Sequence, residues 1–158
     1  TQNGQTSSAA VTADTNWHHY VITWAGRSGG HNSGTIIYED ATAIETTAGG
    51  FGETNSSLFN LDTIGSAGDE TAHTRKFKGL LYQIAIWDTT LDQDAITAVY
   101  NSGTPIPVEL DSGNYDNSDQ LLYLWKFNEG AGSTSAEAVS SRTATLLEGA
   151  SFSSTTPS

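Results

Sequence analysis

Phe77-Lys78-Gly79-Leu80-Leu81-Tyr82-Gln83-Ile84-Ala85-Ile86-Trp87-Asp88 is the stretch that decides the fold of this chain. Its side chains alternate at period two. Leu80, Tyr82, Ile84 and Ile86 fall on one face, and Leu81, Gln83, Ala85 and Trp87 on the other. Both faces are largely apolar, which predicts a central strand covered on each side. The period then changes. Leu91, Ala95 and Val99 recur at four-residue steps with Ile96 and Tyr100 beside them, so a short helix is predicted over 91–101. Thr90 with Gln93 three residues on reads as a capping box, and Asp92 and Asp94 place negative charge at the positive end of the helix dipole. Gly103 stops the helix and Pro105 keeps it stopped.

Working outward, the other apolar segments are short and strand-like. In His19-Tyr20-Val21-Ile22-Thr23-Trp24, the residues Tyr20, Ile22 and Trp24 share a face. A glycine-rich turn over 25–34 leads to Thr35-Ile36-Ile37-Tyr38-Glu39, and Asp40-Ala41 turns that strand into Thr42 to Glu45, a hairpin pattern. Phe59 to Gly65 reads as a further strand, followed by a polar loop over 66–74. Beyond the helix, Leu121 to Phe127 is a strand, and Thr143 to Leu147 and Ala150 to Ser153 are two more short ones. One helix among so many strands is a packing device and leaves the class all-β, an antiparallel sandwich.

Composition agrees. Only 15% of the 158 residues are charged and 36% are hydrophobic, with four Trp, six Tyr and five Phe to build a core. Such a profile suits strands joined by polar turns better than helices. The net charge is −12, from 18 acidic and six basic residues, and a surface of that sign repels phosphate backbones. Nucleic acid is therefore excluded as a partner, and solubility in salty or extracellular water is the plain reading of the acidity. With no cysteine there are neither disulfides nor thiolate metal sites. No apolar run approaches the roughly 20 residues that span a bilayer, so no membrane insertion is expected. The absence of methionine, with Thr1 first, suggests a processed product or a fragment.

The order of segments resembles a known family. Asn16-Trp17-His18-His19-Tyr20-Val21, with a strand ending at Tyr38-Glu39-Asp40, is similar to the Trp-His-His-Val segment and its partner strand in laminin-G-like domains. Asp62-Thr63-Ile64-Gly65 is similar to their Thr-Ile-Gly strand. Phe77 to Asp88, continued by Leu91 and the helix to Tyr100-Asn101, is similar to their most specific block. The resemblance to the laminin-G, pentraxin and concanavalin A-like lectin-glucanase group implies a jelly roll. It covers Asn16 to Gly103 and divides the chain into a polar arm, 1–15, and one domain, 16–158. Several family strands should precede Trp17, where only the arm stands. Leu122 to Leu147, with Trp125-Lys126-Phe127-Asn128-Glu129-Gly130, resembles instead the opening of such domains. The domain is thus expected to be incomplete, permuted, or completed by a neighbouring subunit through strand addition.

Candidate sites follow from the same resemblance. In the pentraxin branch the loop after the Ile-Gly strand supplies acidic Ca²⁺ ligands; here Asp69 and Glu70 are the matching candidates, opposed by Arg75, Lys76 and Lys78 nearby. No cofactor is otherwise required. His18 and His19 point opposite ways on a strand and cannot chelate one ion together; His31 and His73 stand alone. Glucanase relatives use two acidic residues two positions apart on one strand, and no strand here carries that pair, so no enzyme is expected. Trp24, Trp87 and Trp125 sit within strand patterns and read as core. Tyr38, Glu39 and Asp40 at the hairpin turn, with Tyr115 in the acidic loop, are the expected exposed ligand contacts. Asn55-Ser56-Ser57 fits the glycosylation triplet. The expected function is a non-catalytic extracellular structural or adhesive module of a virion, fibre or surface filament, partnered by copies of itself or neighbouring structural subunits. The alternatives are a lectin for cell-surface glycans with a calcium-assisted site, and an accessory domain of a glycoside hydrolase.

Overall fold

A computed structural model describes residues 6–8, 10–24, 35–44, 47–49, 63–66 and 76–157. The described chain holds nine short strands and one α-helix. These are β1 (Thr6–Ser8), β2 (Tyr20–Trp24), β3 (Thr35–Glu39), β4 (Thr42–Ile44), β5 (Thr47–Gly49), β6 (Ile84–Trp87), α1 (Gln93–Tyr100), β7 (Leu121–Trp125), β8 (Thr134–Ala136) and β9 (Thr143–Thr145). All pairings are antiparallel: β1 with β5, β2–β3–β4 in order, β6 with β7, and β8 with β9.

The hairpin predicted around Asp40-Ala41 forms. Tyr20 pairs with Glu39 and Ile37 with Ile44, so β3 is the middle strand of its sheet. Asp40 and Ala41 take φ of 50° and 61°, the two left-handed central residues of the turn that matches strand twist. Asp tolerates that conformation; Ala does so at a cost, and here it packs against the core.

The long strand expected over 77–87 is corrected. Only Ile84–Trp87 is extended. Gln83 has a φ of 48°, which breaks the run, and upstream of it Phe77, Leu80 and Leu81 are 56%, 46% and 43% exposed. Among the described residues β6 pairs with β7, and all four of its residues are half-buried. Its register shifts between Ile86 and Trp87, a bulge that lets Trp87 pair with Leu121. Ala150 to Ser153 is not a strand, whereas Thr134–Ala136, too polar to stand out by pattern, is one.

Helix α1 forms with the predicted face: Leu91, Ala95, Ile96 and Val99 are all buried. Its cap differs. Asp92, not Thr90, is the N-cap, and its carboxylate accepts the Ala95 amide at 2.8 Å. The Asp92 carboxylate satisfies a free amide of the first turn, and its charge also suits the dipole. Gln93 turns away to donate to the Ala41 carbonyl at 2.8 Å, linking helix and hairpin. The helix ends at Tyr100, three residues before Gly103, because Asn101 already adopts a left-handed φ of 43°. Replacing Asp92 by Ala should cost about 1 kcal/mol; a urea midpoint indistinguishable from wild type would show that the cap is not used.

The core joins both halves of the chain. Tyr38 from β3, Leu91, Ala95, Ile96 and Val99 around α1, then Val108, Tyr115, Leu121 and Leu124, form one buried cluster. Val21, Ala41, Ala85 and Trp87 pack against it. Helix α1 therefore shares one core with the β2–β3 hairpin and the β6–β7 pair. The described parts of the arm are held: β1 pairs with β5, and the segment over 10–16 is fastened to the hairpin turn. Among the described residues no helix is long and apolar enough to cross a membrane.

Candidate functional site

The β2–β3 pairing sets up a charged cluster at the hairpin turn. Continuing the Tyr20–Glu39 register outward puts His19 opposite Asp40, and the Asp40 amide donates to the His19 carbonyl at 2.9 Å. His18 then lies beside the turn. Its Nδ1 is 2.8 Å from Asp40 Oδ2 and 3.6 Å from Glu39 Oε1, and its Nε2 is 3.1 Å from Asp14 Oδ1. The second Asp40 oxygen accepts the His19 amide at 2.9 Å. Glu39 is nearly buried; its Oε1 accepts the Tyr20 hydroxyl at 2.9 Å, and its two oxygens accept the Thr12 amide at 2.9 and 3.2 Å.

The titrations follow from these partners. His18 is raised above the ordinary imidazole value, first by its hydrogen bond to Asp40 and then by that to Asp14. Burial alone would push the Glu39 carboxyl up, but hydrogen bonds from Thr12 and Tyr20 and the charge of His18 outweigh it and hold it low. Asp14 is lowered by its hydrogen bonds to the Asn16 backbone and to His18. The Tyr20 hydroxyl is pushed up to about 12, by removal from water and by the carboxylate it donates to.

The four residues expected as exposed ligand contacts do not converge. Glu39 and Asp40 meet at the cluster. Tyr38 points to the other face of β3 and is buried at 7% exposure in the core, since successive strand residues alternate. Tyr115 is fully buried, which corrects its expected exposure. Its hydroxyl donates to the Val108 carbonyl at 2.7 Å and accepts Trp87 Nε1 at 2.9 Å, so the acidic loop folds over its own tyrosine. Tyr115→Phe should therefore destabilise by about 1–3 kcal/mol, because Trp87 Nε1 and the Val108 carbonyl lose their partner; an unchanged unfolding midpoint would exclude this.

Asp69, Glu70, His31, His73 and the Asn55 triplet lie outside the described residues. Among the described residues no group of three or more His, Asp or Glu side chains is arranged to hold a metal ion. The two adjacent histidines do diverge: His18 meets carboxylates, while His19 stacks on Tyr100 with ring centroids 5.9 Å apart. Trp87 is half-buried and Trp125 buried, as their strand patterns implied.

Sequence reasoning missed His18, Asp14 and Tyr20 as members of one cluster. The signal was there: once Asp40-Ala41 is a two-residue turn, the register brings His18 to it. It also missed Glu137, for which the sequence offers no signal. Glu137 is 4% exposed. It accepts the Leu124 amide at 2.6 Å, the Val139 amide and the Ser140 hydroxyl at 2.7 Å each, and the Ser140 amide.

Antiparallel strand pairs gathered around one short helix define an all-β protein. The family described as the Concanavalin A-like lectin/glucanases superfamily, in its laminin-G form, matches residues 1–97. The chain belongs to that family. The match includes the N-terminal arm and stops within α1, short of β7. No curated protein and no solved structure gave a match.

Proposed function

We propose that the chain is a non-catalytic jelly-roll module that works outside the cell as a structural or adhesive part of a virion, fibre or surface filament. In this reading it assembles with copies of itself or with neighbouring structural subunits. One observation carries it: the β2–β3–β4 sheet is apolar on both faces. Val21 and Tyr38 face the helix-containing core, while the opposite face carries Tyr20, Ile22, Ile37 and Ile44, with Glu39 at its edge beneath Thr12. Away from Glu39 the described part of that face is open at Ile22, 68% exposed, and Tyr20, 44% exposed. A sheet apolar on both sides calls for two coverings. The second is the other sheet of a closed sandwich or a neighbouring subunit.

The absence of catalysis is supported by the carboxylates. No described strand holds two acidic residues two apart on one face, and Glu39 and Asp40 accept hydrogen bonds from the fold itself. Ile22→Glu separates the two coverings. If copies meet on this face, light scattering should show assemblies falling to monomers while the melting transition stays. If the chain covers the face itself, the variant should melt markedly lower. A wild-type chain that is monomeric at every concentration overturns the assembly reading.

The family description names lectins, which favours carbohydrate binding as a second reading. Here Asp69 and Glu70 would hold Ca²⁺ beside a sugar. Glycan-array binding abolished by EDTA would establish it in place of the purely structural role.

A further inference from the structure

We propose that His18 is a pH-sensitive latch that fastens the segment over residues 10–16 to the β3–β4 turn and lets it go when the imidazole loses its proton. Both ring nitrogens face carboxylates: Nδ1 lies 2.8 Å from Asp40 and Nε2 3.1 Å from Asp14. Only the imidazolium has a donor on each nitrogen; a neutral ring has one. Asp14, Glu39 and Asp40 all face this ring, and no Lys or Arg pairs with any of them among the described residues. Tyr20, its ring centroid 6.3 Å from that of His18, directs its hydroxyl to Glu39. His19 faces Tyr100 and does not enter the cluster. Loss of the proton thus leaves three carboxylates around one ring with no cation among the described residues to offset them.

The geometry also tells which side opens. Asp40 is fixed in the turn and keeps a second donor, the His19 amide at 2.9 Å. Asp14 lies on an exposed segment, and apart from His18 its carboxylate is held by its near neighbour Asn16. The neutral ring keeps its one proton toward Asp40 and releases Asp14. Thr12, whose amide donates to Glu39, is the second fastening of the same segment. Because His18 is raised, its contribution is complete below the ordinary imidazole value of 6.5 and is lost as pH climbs through the higher folded value. Asp14 and Glu39 are lowered, so their part is lost only in acid. The latch is closed in mildly acidic water and opens toward alkaline pH.

Amide hydrogen exchange of the intact chain, corrected for intrinsic rates, tests this directly. From about pH 5.5 to about pH 8.5 the protection of Thr12 and Asn16 should fall by about tenfold, while that of Leu124 in β7 stays. His18→Gln should lack the step and be weakly protected at both values; Asp14→Asn should flatten it. A step that survives in His18→Gln, or no step in the wild type, overturns the latch. Direct proton NMR titration of His18 in the wild-type chain provides a readout independent of any variant. A midpoint below that of free imidazole also overturns it.

Discussion

A chain ending at Gly103 is expected not to fold, although it contains all of the segment that matches the family. Such a chain loses Val108, Tyr115, Leu121 and Leu124, which are 3%, 0%, 7% and 0% exposed. These four side chains cover Leu91, Ala95, Ile96 and Val99 around α1, and β7 is the partner of β6. Burying four such groups contributes on the order of 6–12 kcal/mol, which is comparable to the whole stability of an ordinary domain, about 5–15 kcal/mol. The loss also leaves the edge of β6 and an apolar helix face in water. Circular dichroism should show no cooperative melting for 1–103, while a chain ending at Ser158 melts in one transition. A cooperative melt of the short chain near the wild-type midpoint would mean that the family segment holds a complete core.

Glu137→Ala should be strongly destabilising for a polar substitution, costing about 2–4 kcal/mol. Its carboxylate accepts the Leu124 amide at the core edge of β7 and closes the turn through Val139 and Ser140. The Ala138 amide donates to the Leu124 carbonyl at 2.8 Å, so this turn helps join the β8–β9 hairpin to β7. Without the carboxylate a backbone donor beside fully buried Leu124 has no partner. Burial alone would raise the Glu137 carboxyl, but the Ser140 hydroxyl and the Val139, Leu124 and Ser140 amides bring it down to about 2. Since the folded value lies below the ordinary 4.5, the stabilisation is complete above that value and is lost as pH falls toward about 2. Urea midpoints of wild type should drop steeply from pH 7 to about pH 3, and those of Glu137→Gln should drop less because the amide has no proton to gain. Parallel slopes for the two proteins would show that acid acts elsewhere.

Much of the fold was legible because it rests on local periodicity. The Asp40-Ala41 turn, β2, β3, β7 and the buried face of α1 all follow from alternation or four-residue spacing. The Phe77–Trp87 run shows where that logic stops. Alternating apolar residues predicted eleven extended residues, but the strand starts only at Ile84, after a left-handed Gln83. Pattern reports which side chains share a face; it does not report a single backbone residue leaving the extended region. Tyr115 failed for another reason. Its acidic, proline-flanked surroundings read as a loop, which they are, yet the loop wraps its tyrosine inward because Trp87 and Val108 offer partners there.

By itself the sequence determined an all-β family member with one capped helix, an acidic surface, and no strand bearing a glucanase-type acidic pair. Tertiary structure alone decided how the family-matched part meets the rest. It pairs β6 with β7 across the helix and a long connection, buries Tyr115 against Trp87, and closes the edge of β7 with Glu137. It likewise brings Asp14, Glu39 and Asp40 to His18. Apart from the Asp14–His18 contact, four residues apart, these contacts join residues far apart in the chain, and they form only when burial of the shared core outweighs the entropy of closing the loops between them. No local spacing encodes that balance, which is why periodicity fixed the elements and packing fixed their partners.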